Sequence, residues 1–130
     1  MIKDDAACPC GSSMAFAPCC GGLLSAERTA DTAEQLMRSR YTAFVLKDEA
    51  YLGRTWHPDT CPARIELDDD THWLGLKIKS TQAGGVDDDE GTVEFVARYK
   101  IAGRGHRLHE VSRFTRRDGQ WCYVDGTHQD

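Results

Sequence analysis

Four cysteines lie close together near the start of this chain, between residues 8 and 20. They belong to the stretch CPCGSSMAFAPCCGG, residues 8–22, which is called the cysteine segment below and has the spacing C-x-C-x8-C-C. The other two cysteines, Cys61 and Cys122, stand alone. Such a concentration of thiols indicates a metal site, a set of disulfides or a reactive thiol, and each of these constrains the local backbone differently.

The cellular compartment of the protein affects whether the thiols bind a metal, form disulfides or react. The first ten residues, MIKDDAACPC, carry two acids where a secretory signal would have an apolar segment, so we expect a cytoplasmic protein. Thiols stay reduced there and disulfide scaffolds are rare. A composition of 40% apolar and 28% charged residues is typical of a globular domain, and no apolar run approaches membrane-spanning length, so no membrane role is expected.

The spacing of the cysteines suits one tetrahedral zinc ion. Such a site needs two short ligand pairs folded back on each other, and the eight residues between the pairs are enough for that return. Glycines after each pair permit tight turns, and Phe16 in the loop would cover the site or anchor it to the rest of the chain. We therefore predict one structural Zn²⁺, with disulfides, another metal or a catalytic thiol as the alternatives. The predicted ligands are Cys8, Cys10, Cys19 and Cys20.

The cysteine segment resembles the SEC-C motif, a zinc module best known from the C-terminal tail of the SecA preprotein translocase. That motif reads CPCGSG, a short loop, then Cys followed by Cys or His and Gly. Ser13 stands where the motif usually has glycine, and residues 14–17 read MAFA where the translocase tail carries lysines. The resemblance implies zinc binding by the four cysteines but not binding to an export chaperone.

Helices are predicted directly after the cysteine segment. The stretch DTAEQLMRSRYTAFVLKD begins with a capping-box-like pair, Asp31 and Glu34, and places apolar residues along one helical face. Arg38 and Arg40 are expected largely away from the centre of that face. A second helix is predicted from about 48 to 56, because His57 precedes a proline.

Strands follow the helices. In HWLGLKIKS, alternation predicts that Leu74, Leu76 and Ile78 share one face, and Asp118-Gly119 is a strong hairpin signal. A further turn is predicted at QAGGVDDDEG. Helices followed by antiparallel strands indicate an α+β fold, with a curved sheet packed around one long helix. The other predicted strands are TVEFVARYKI, RLHEVSRFTR and QWCYVDG.

Nearly the whole chain resembles the bacterial YchJ-like family of small SEC-C proteins. The resemblance is carried by TAEQLMRSRYTAFVLKDEAYLGRTWHP, GTVEFVARYKIAG and HEVSRFTRRDGQWCYVDG. It implies a SEC-C zinc motif in residues 1–24 and, in residues 25–130, a cone-shaped α+β domain similar to nuclear transport factor two. It implies no particular activity.

A cone of this kind holds a pocket between its long helix and the concave face of its sheet. Glu110 on a half-buried strand would act there as a general base, or would form an ion pair with Arg98 or Arg113. His57 would be its acid or metal partner, or would cap the preceding helix. Aromatic candidates are also natural core residues, as are Cys61 and Cys122. The pocket candidates are Tyr41, Trp56, His57, Trp73, Arg98, Glu110, Ser112, Arg113, Trp121, Tyr123 and Asp125.

The net charge of the chain affects which kind of macromolecule it can bind. The formal net charge of −5 argues against bulk electrostatic binding to nucleic acid, although seven cations between residues 98 and 117 face only Glu110. The acidic runs ELDDD and DDDE are typical of solvated turns. The first hypothesis is a zinc-binding adaptor that recognises another protein, with Met14, Phe16 and the arginines exposed. The alternatives are a small-molecule binding protein or enzyme using Glu110, and a nucleic-acid-associated protein.

Overall fold

The computed structural model describes residues 2–129, which form short helices packed on one antiparallel sheet. This is the α+β fold that the sequence predicts. Within residues 2–129, no helix is both long enough and apolar enough to cross a membrane. A π-helical turn spans Ala17–Gly21, and the elements that follow are α1 (Gly22–Leu24), α2 (Ala33–Leu46), α3 (Glu49–Arg54), β1 (Thr71–Ala83), β2 (Glu90–Ile101), β3 (Arg104–Arg117) and β4 (Gln120–His128).

The sheet is a simple meander in the order β1-β2-β3-β4, with every neighbouring pair antiparallel. The Asp118-Gly119 turn is confirmed, and both of its residues have positive φ, at 54° and 80°. A second turn of the same kind joins β2 to β3 at Ala102-Gly103, with φ of 51° and 79°. Ala102-Gly103 is a weak hairpin signal in the sequence, because alanine seldom adopts positive φ.

The residue that caps the start of helix α2 is Thr32, one residue later than Asp31 of the predicted capping pair. The Thr32 side chain accepts a hydrogen bond from the Gln35 N–H (3.1 Å), and the Gln35 Oε1 accepts one from the Asp31 N–H (3.0 Å). Thr32 takes this position because its backbone is extended, with φ of −137° and ψ of 161°. Glu34 instead forms an ion pair with Arg38 one turn along, with the Arg38 Nε 3.0 Å from its carboxylate.

The core lies between α2 and the helix-facing side of the sheet. Leu36 and Tyr41 of α2 are 2% and 4% exposed, and they belong to one hydrophobic cluster with buried residues of the central strands such as Val93 and Phe114. The Tyr41 ring meets the Trp73 ring edge-on, with centroids 5.7 Å apart. Burial of large apolar side chains, at roughly 1.5–3 kcal/mol each, is therefore the main force that holds the helix to the sheet.

Strand β1 does not alternate as the sequence predicts. A register shift between Trp73 and Gly75 makes Leu74 an extra residue, and its side chain is 56% exposed. Trp73 therefore packs against the helix side, while Leu76 resumes the inward alternation. The prediction that Leu74 lies on the core face is wrong because one bulge residue moves the preceding side chains to the other face.

Arg40 is buried, contrary to the expectation that it lies away from the packed face of α2. It is 3% exposed, and its guanidinium lies between the rings of Trp56 and Tyr123, 4.9 and 4.6 Å from their centroids. It donates hydrogen bonds to the Leu52 carbonyl (2.9 Å) and the Thr55 hydroxyl (2.7 Å). Burial lowers the pKa of Arg40 to about 10, which leaves the group charged at neutral pH.

Helix α3 is shorter than predicted. The Asp48 carboxylate caps it by accepting the Tyr51 N–H at 3.0 Å, and the helix ends at Arg54. Beyond it, the Tyr123 N–H donates to the Thr55 carbonyl at 2.8 Å, and Trp56 forms a bridge with Tyr123 of β4. The chain thus leaves the helix to pair with β4, a long-range contact that the local sequence does not signal.

Candidate metal centre

The four clustered cysteines bring their sulfurs together at one point. All four Sγ atoms lie within 4.8 Å of one another. The Cys10 and Cys19 sulfurs are 3.6 Å apart, and those of Cys19 and Cys20 are 3.9 Å apart. Cys8, Cys10 and Cys20 are 5%, 0% and 1% exposed, so only Cys19 reaches the surface in part.

These separations fit one tetrahedral metal ion. A metal–sulfur distance of about 2.3 Å corresponds to sulfurs about 3.8 Å apart at the corners of a tetrahedron. A disulfide would bring two sulfurs to about 2.05 Å, and all of the described cysteines are free thiols. The arrangement therefore suits a four-thiolate metal site and does not contain disulfides.

Two backbone features fold the cysteine segment around the sulfurs. Hydrogen bonds from the Cys8 N–H to the Met14 carbonyl (2.9 Å) and from the Phe16 N–H to the Ala6 carbonyl (2.7 Å) close a small hairpin. Gly11 and Ser13 within it have φ of 79° and 70°. The motif position that usually holds glycine therefore needs positive φ, and Ser13 adopts it here at some steric cost.

The hairpin also packs against the rest of the protein. Cys8, Cys10 and Cys20 belong to the continuous hydrophobic core, and Phe16 is partly buried against it. Phe16 thus serves as an anchor, whereas Met14 at the loop tip is 48% exposed. The cysteine segment is an integral part of the fold.

Helix α2 supplies polar contacts to the cluster that the sequence does not predict. Arg38 donates a hydrogen bond from Nη1 to the Cys10 carbonyl (2.7 Å), and the Thr42 hydroxyl lies 3.9 Å from the Cys8 sulfur. Ser12 contributes a third contact, with its hydroxyl 3.2 Å from the Cys19 sulfur. Arg38 and Thr42 are four residues apart, so the sequence does indicate that they share one face of the helix. It does not indicate that this face contacts the cysteine segment.

Arg28 holds the second cysteine pair from the other side. Its Nη2 donates to the carbonyls of Ala17, Pro18 and Cys19. A side chain at Gly22 would bring its Cβ into steric conflict with the Arg28 guanidinium. Glycine at this position therefore leaves room for the arginine that hydrogen-bonds to the backbone beside the clustered thiols.

The thiols also influence one another's protonation. Hydrogen bonds from Cys20 and Cys8 lower the pKa of Cys10, since they stabilise its thiolate. The same hydrogen bond to Cys10 raises the pKa of Cys20, and burial raises that of Cys19. Binding a divalent ion must therefore displace protons, so metal affinity is expected to fall as the pH falls.

The predicted pocket residues do not form one site. Burial raises the pKa of Tyr41 to about 12, and its ring is part of the core. Trp56 and Tyr123 enclose Arg40, and the Trp121 Nε1 donates to the Asp31 carbonyl at 3.1 Å. His57 follows α3 in a turn, where its Nδ1 accepts the Asp59 N–H at 3.1 Å.

Glu110 is half-buried, and its ion-pair partner differs from those expected. Its Oε1 lies 3.4 Å from Nε2 of His128. Glu110 is paired with Phe95 across β2 and β3, so Arg98, three residues further, points to the opposite face and is exposed. The interpretation that Glu110 pairs with Arg98 or Arg113 is therefore wrong.

Arg113 and other predicted residues already make hydrogen bonds or packing contacts within the fold. Arg113 makes two hydrogen bonds to Asp125, at 2.6 and 2.7 Å. Arg116 lies over the Trp121 ring, 4.6 Å from its centroid, and donates to backbone carbonyls of the β1–β2 loop. Ser112 is 1% exposed and lies on the same face as Glu110. Of the pocket candidates, Glu110, Ser112 and Tyr123 share one neighbourhood beside Gly126.

The pH dependence of stability tests the environment of Glu110. Burial raises the pKa of Glu110, so the folded protein holds this proton more tightly than the unfolded chain. Its contribution to stability is present below the unfolded pKa of about 4.3 and is lost as the pH rises through the raised folded pKa. We expect Glu110→Gln to gain stability relative to the unsubstituted protein between pH 4 and pH 7, as measured by urea denaturation.

Glu66 is exposed, so Glu66→Gln is the control for this experiment. It should not change the difference between the free energies of unfolding at pH 4 and pH 7. Comparing variants cancels the titration of all shared groups, including the thiols. An equal loss of stability at both pH values in Glu110→Gln would contradict the prediction, because it would indicate a hydrogen-bonding role without a charge penalty.

The fold and the cysteine cluster together define a class of small α+β protein, in which a four-thiol segment packs onto a helix-and-sheet domain. Residues 32–126 match the family model described as "YchJ, middle NTF2-like domain". Among curated relatives, UPF0225 protein RSc0270 of Ralstonia nicotianae is 54% identical, over 93% of this chain and 90% of the relative. UPF0225 protein SCO1677 of Streptomyces coelicolor is 51% identical, over 95% and 96%.

Solved structures agree with this assignment. RPA3114 of Rhodopseudomonas palustris, described as a SEC-C motif containing protein, has a TM-score of 0.81 and 34% identity, covering 95% of this chain and 98% of the other. A SEC-C motif containing protein from Psychrobacter arcticus has a TM-score of 0.76 and 25% identity, covering 98% and 85%. The chain belongs to the YchJ-like UPF0225 family, as its sequence resemblance indicates. The division at residues 24 and 25 stays a prediction.

Proposed function

We propose that the metal is a single structural zinc ion. Four thiolates form a soft ligand set of the kind that Zn²⁺ prefers, and four protein ligands leave no open position for a substrate. The sulfurs lie in the hydrophobic core, where loss of the metal would leave several polar groups unpaired. Such a site needs reduced thiols, in accord with the expected cytoplasmic location.

We further propose that the protein is an interaction module, or adaptor, that binds another protein beside the zinc. The observation that carries this proposal is a groove of about 350 Å³ whose wall includes Cys19 and Cys20. Met14 lines it too, and its side chain is half-exposed on a loop held by the metal ligands. A rigid loop with an exposed flexible apolar side chain is a common form of recognition surface.

The lining of the groove indicates the chemistry of its partner. Met14, Pro18 and Leu23 form an apolar patch, while Arg28 and Asp31 place both signs of charge at its edge. Glu34 and Arg38 also line it but neutralise each other at 3.0 Å. This mixture suits a protein segment that inserts a large apolar side chain, and it does not suit a polyanion such as nucleic acid.

Site-specific photo-crosslinking in cells tests this proposal. A photoreactive phenylalanine analogue replaces Met14 in one variant and Val86 in a second, because Val86 is an apolar side chain in the β1–β2 loop that is more accessible, 67% exposed against 48% for Met14. We expect a discrete protein adduct from position 14 and none from position 86. Met14→Asp should then weaken binding of the captured protein about tenfold, or about 1.4 kcal/mol, without changing metal content.

Two results would contradict the interaction role. One is the same set of adducts from both positions, which would reflect exposure alone. The other is an adduct with nucleic acid at position 14. Val86→Asp is the matched charge control, and it should leave binding of the captured protein unchanged.

A further inference from the structure

A second cavity lies on a different side of the protein, where the chain before α2 meets α3 and the start of β4. Its volume is about 310 Å³. It shares Leu23 and Arg28 with the groove beside the cysteines but contains neither a metal ligand nor Glu110. This volume is at the lower end for small-molecule sites, so a ligand of the cavity would be compact.

The floor of this cavity is apolar and aromatic. Leu36, Tyr51 and Trp121 line it, at 2%, 3% and 3% exposure. The polar atoms of both rings are engaged outside the cavity: the Tyr51 hydroxyl is 2.6 Å from Ser39 Oγ, and the Trp121 Nε1 bonds the Asp31 carbonyl. Arg54 lies over the Tyr51 ring and Arg116 over the Trp121 ring, each 4.6 Å from the ring centroid, so only part of each ring is open to the cavity. An apolar ligand body would pack on this remaining ring surface together with Leu23, Ala26 and Ala30.

The rim of the cavity is cationic. Arg28 and Arg54 line it together with Thr29, Thr55 and Gln120, and no Asp or Glu lies among its lining residues. That is unexpected in a chain with 21 acidic and 16 basic residues. Within residues 2–129, both arginines hydrogen-bond to the protein through Nη2 only, which leaves their Nε and Nη1 groups as donors.

We propose that this cavity binds a small organic anion with an aromatic or branched apolar body. The body packs beside Trp121 and Tyr51, and the anionic group accepts hydrogen bonds from Arg28 and Arg54. Only the Thr29 hydroxyl can assist, because the Thr55 hydroxyl already donates to the Tyr51 carbonyl at 2.7 Å. A carboxylate and a phosphate share this chemistry. The proposal depends neither on the identity of the metal nor on the interaction role.

Nuclear magnetic resonance titration of the metal-loaded, full-length protein tests the proposal. The probes are benzoate, phenyl phosphate and the neutral benzamide, which has nearly the shape of benzoate. We expect at least one anion to shift the indole N–H signal of Trp121 while those of Trp56 and Trp73 stay unchanged. Benzamide should bind about tenfold more weakly, since it lacks the charge. The tighter of the two anions identifies carboxylate or phosphate as the preferred group.

Gln120→Glu provides the matching variant. Gln120 is exposed and begins β4, so the substitution adds an acid of the same shape to the rim without disturbing the core. Anion affinity should fall about tenfold through repulsion, whereas benzamide binding should not change. Gln82→Glu adds the same charge at an exposed site outside the cavity and should have no effect. The proposal is overturned if neither anion shifts Trp121, if benzamide binds equally well, or if Gln120→Glu leaves anion affinity unchanged.

Discussion

Replacing Cys10 by serine is expected to abolish binding of the proposed zinc ion and to lower the free energy of unfolding by about 5 kcal/mol or more. Cys10 is completely buried, and its sulfur is 3.6 Å from that of Cys19, so serine can neither complete a four-thiolate site nor pack equally well. Structural zinc contributes about 10–16 kcal/mol to the folding of small zinc peptides, a scale that exceeds the stability of most domains. Native mass spectrometry measures the metal, and urea denaturation measures the stability.

The helix-and-sheet domain should lose stability together with the cysteine segment. Arg38 and Thr42 of α2 contact that segment, and its cysteines are part of the same core. We therefore expect tryptophan fluorescence and metal release to report one coincident transition when a chelator is added. Trp56, Trp73 and Trp121 all lie outside the cysteine segment, so their signal reports on the domain.

Cys61→Ser is the matched control, because Cys61 lies outside the cluster and is not fully buried. It should keep one metal ion and unfold within about 0.5 kcal/mol of the unsubstituted protein. A purified protein without metal and lighter by two or four hydrogens would contradict the metal site in favour of disulfides. So would a Cys10→Ser variant that retains full metal and stability.

Truncating Arg40 to alanine is expected to cost about 3–5 kcal/mol of stability, the second largest effect. The substitution removes a cation that lies between Trp56 and Tyr123, and such contacts are worth about 2 kcal/mol when desolvated. It also removes the shorter of two hydrogen bonds to the Leu52 carbonyl, leaving only the Thr55 hydroxyl at 3.4 Å, and opens a cavity between α2, α3 and β4. Urea denaturation of the metal-loaded protein measures the change.

The variants Arg40→Lys and Arg40→Met separate charge from volume at this position, and Arg117→Ala is the control. Arg40→Lys keeps the charge but loses the planar guanidinium, so it should recover only part of the stability. Arg117→Ala removes an exposed arginine and should change stability by less than about 0.5 kcal/mol. If Arg40→Met is as stable as the unsubstituted protein, the side chain of Arg40 stabilises the fold by its volume alone and the prediction of a charge contribution is wrong.

Local sequence signals predicted most of the architecture. The period-two alternation in β2 and β3 identified strands, and Asp118-Gly119 identified a hairpin, because both depend on residues close along the chain. The C-x-C-x8-C-C spacing likewise predicted a four-thiol cluster, since two short pairs on a returning loop converge wherever the loop is placed.

Signals that depend on distant residues failed. Nothing around Arg40 in the sequence shows that Trp56 and Tyr123 will enclose it, so a charged helix residue was expected to be solvated. The bulge at Leu74 arises from the pairing of β1 with β2, and pairing register is not encoded within one strand. For the same reason, the sequence does not indicate that the ion-pair partner of Glu110 is His128 and not an arginine.

The sequence by itself determined the class of this protein: a four-cysteine segment followed by an α+β domain of the YchJ-like family. Only the tertiary structure decided where that segment rests, which side chains support it and where cavities remain. The physical reason is that ligand spacing and strand alternation are properties of a short stretch of chain. Burial of a cation, contact of α2 with the cysteines and the cationic rim beside Trp121 arise when segments far apart in sequence pack together.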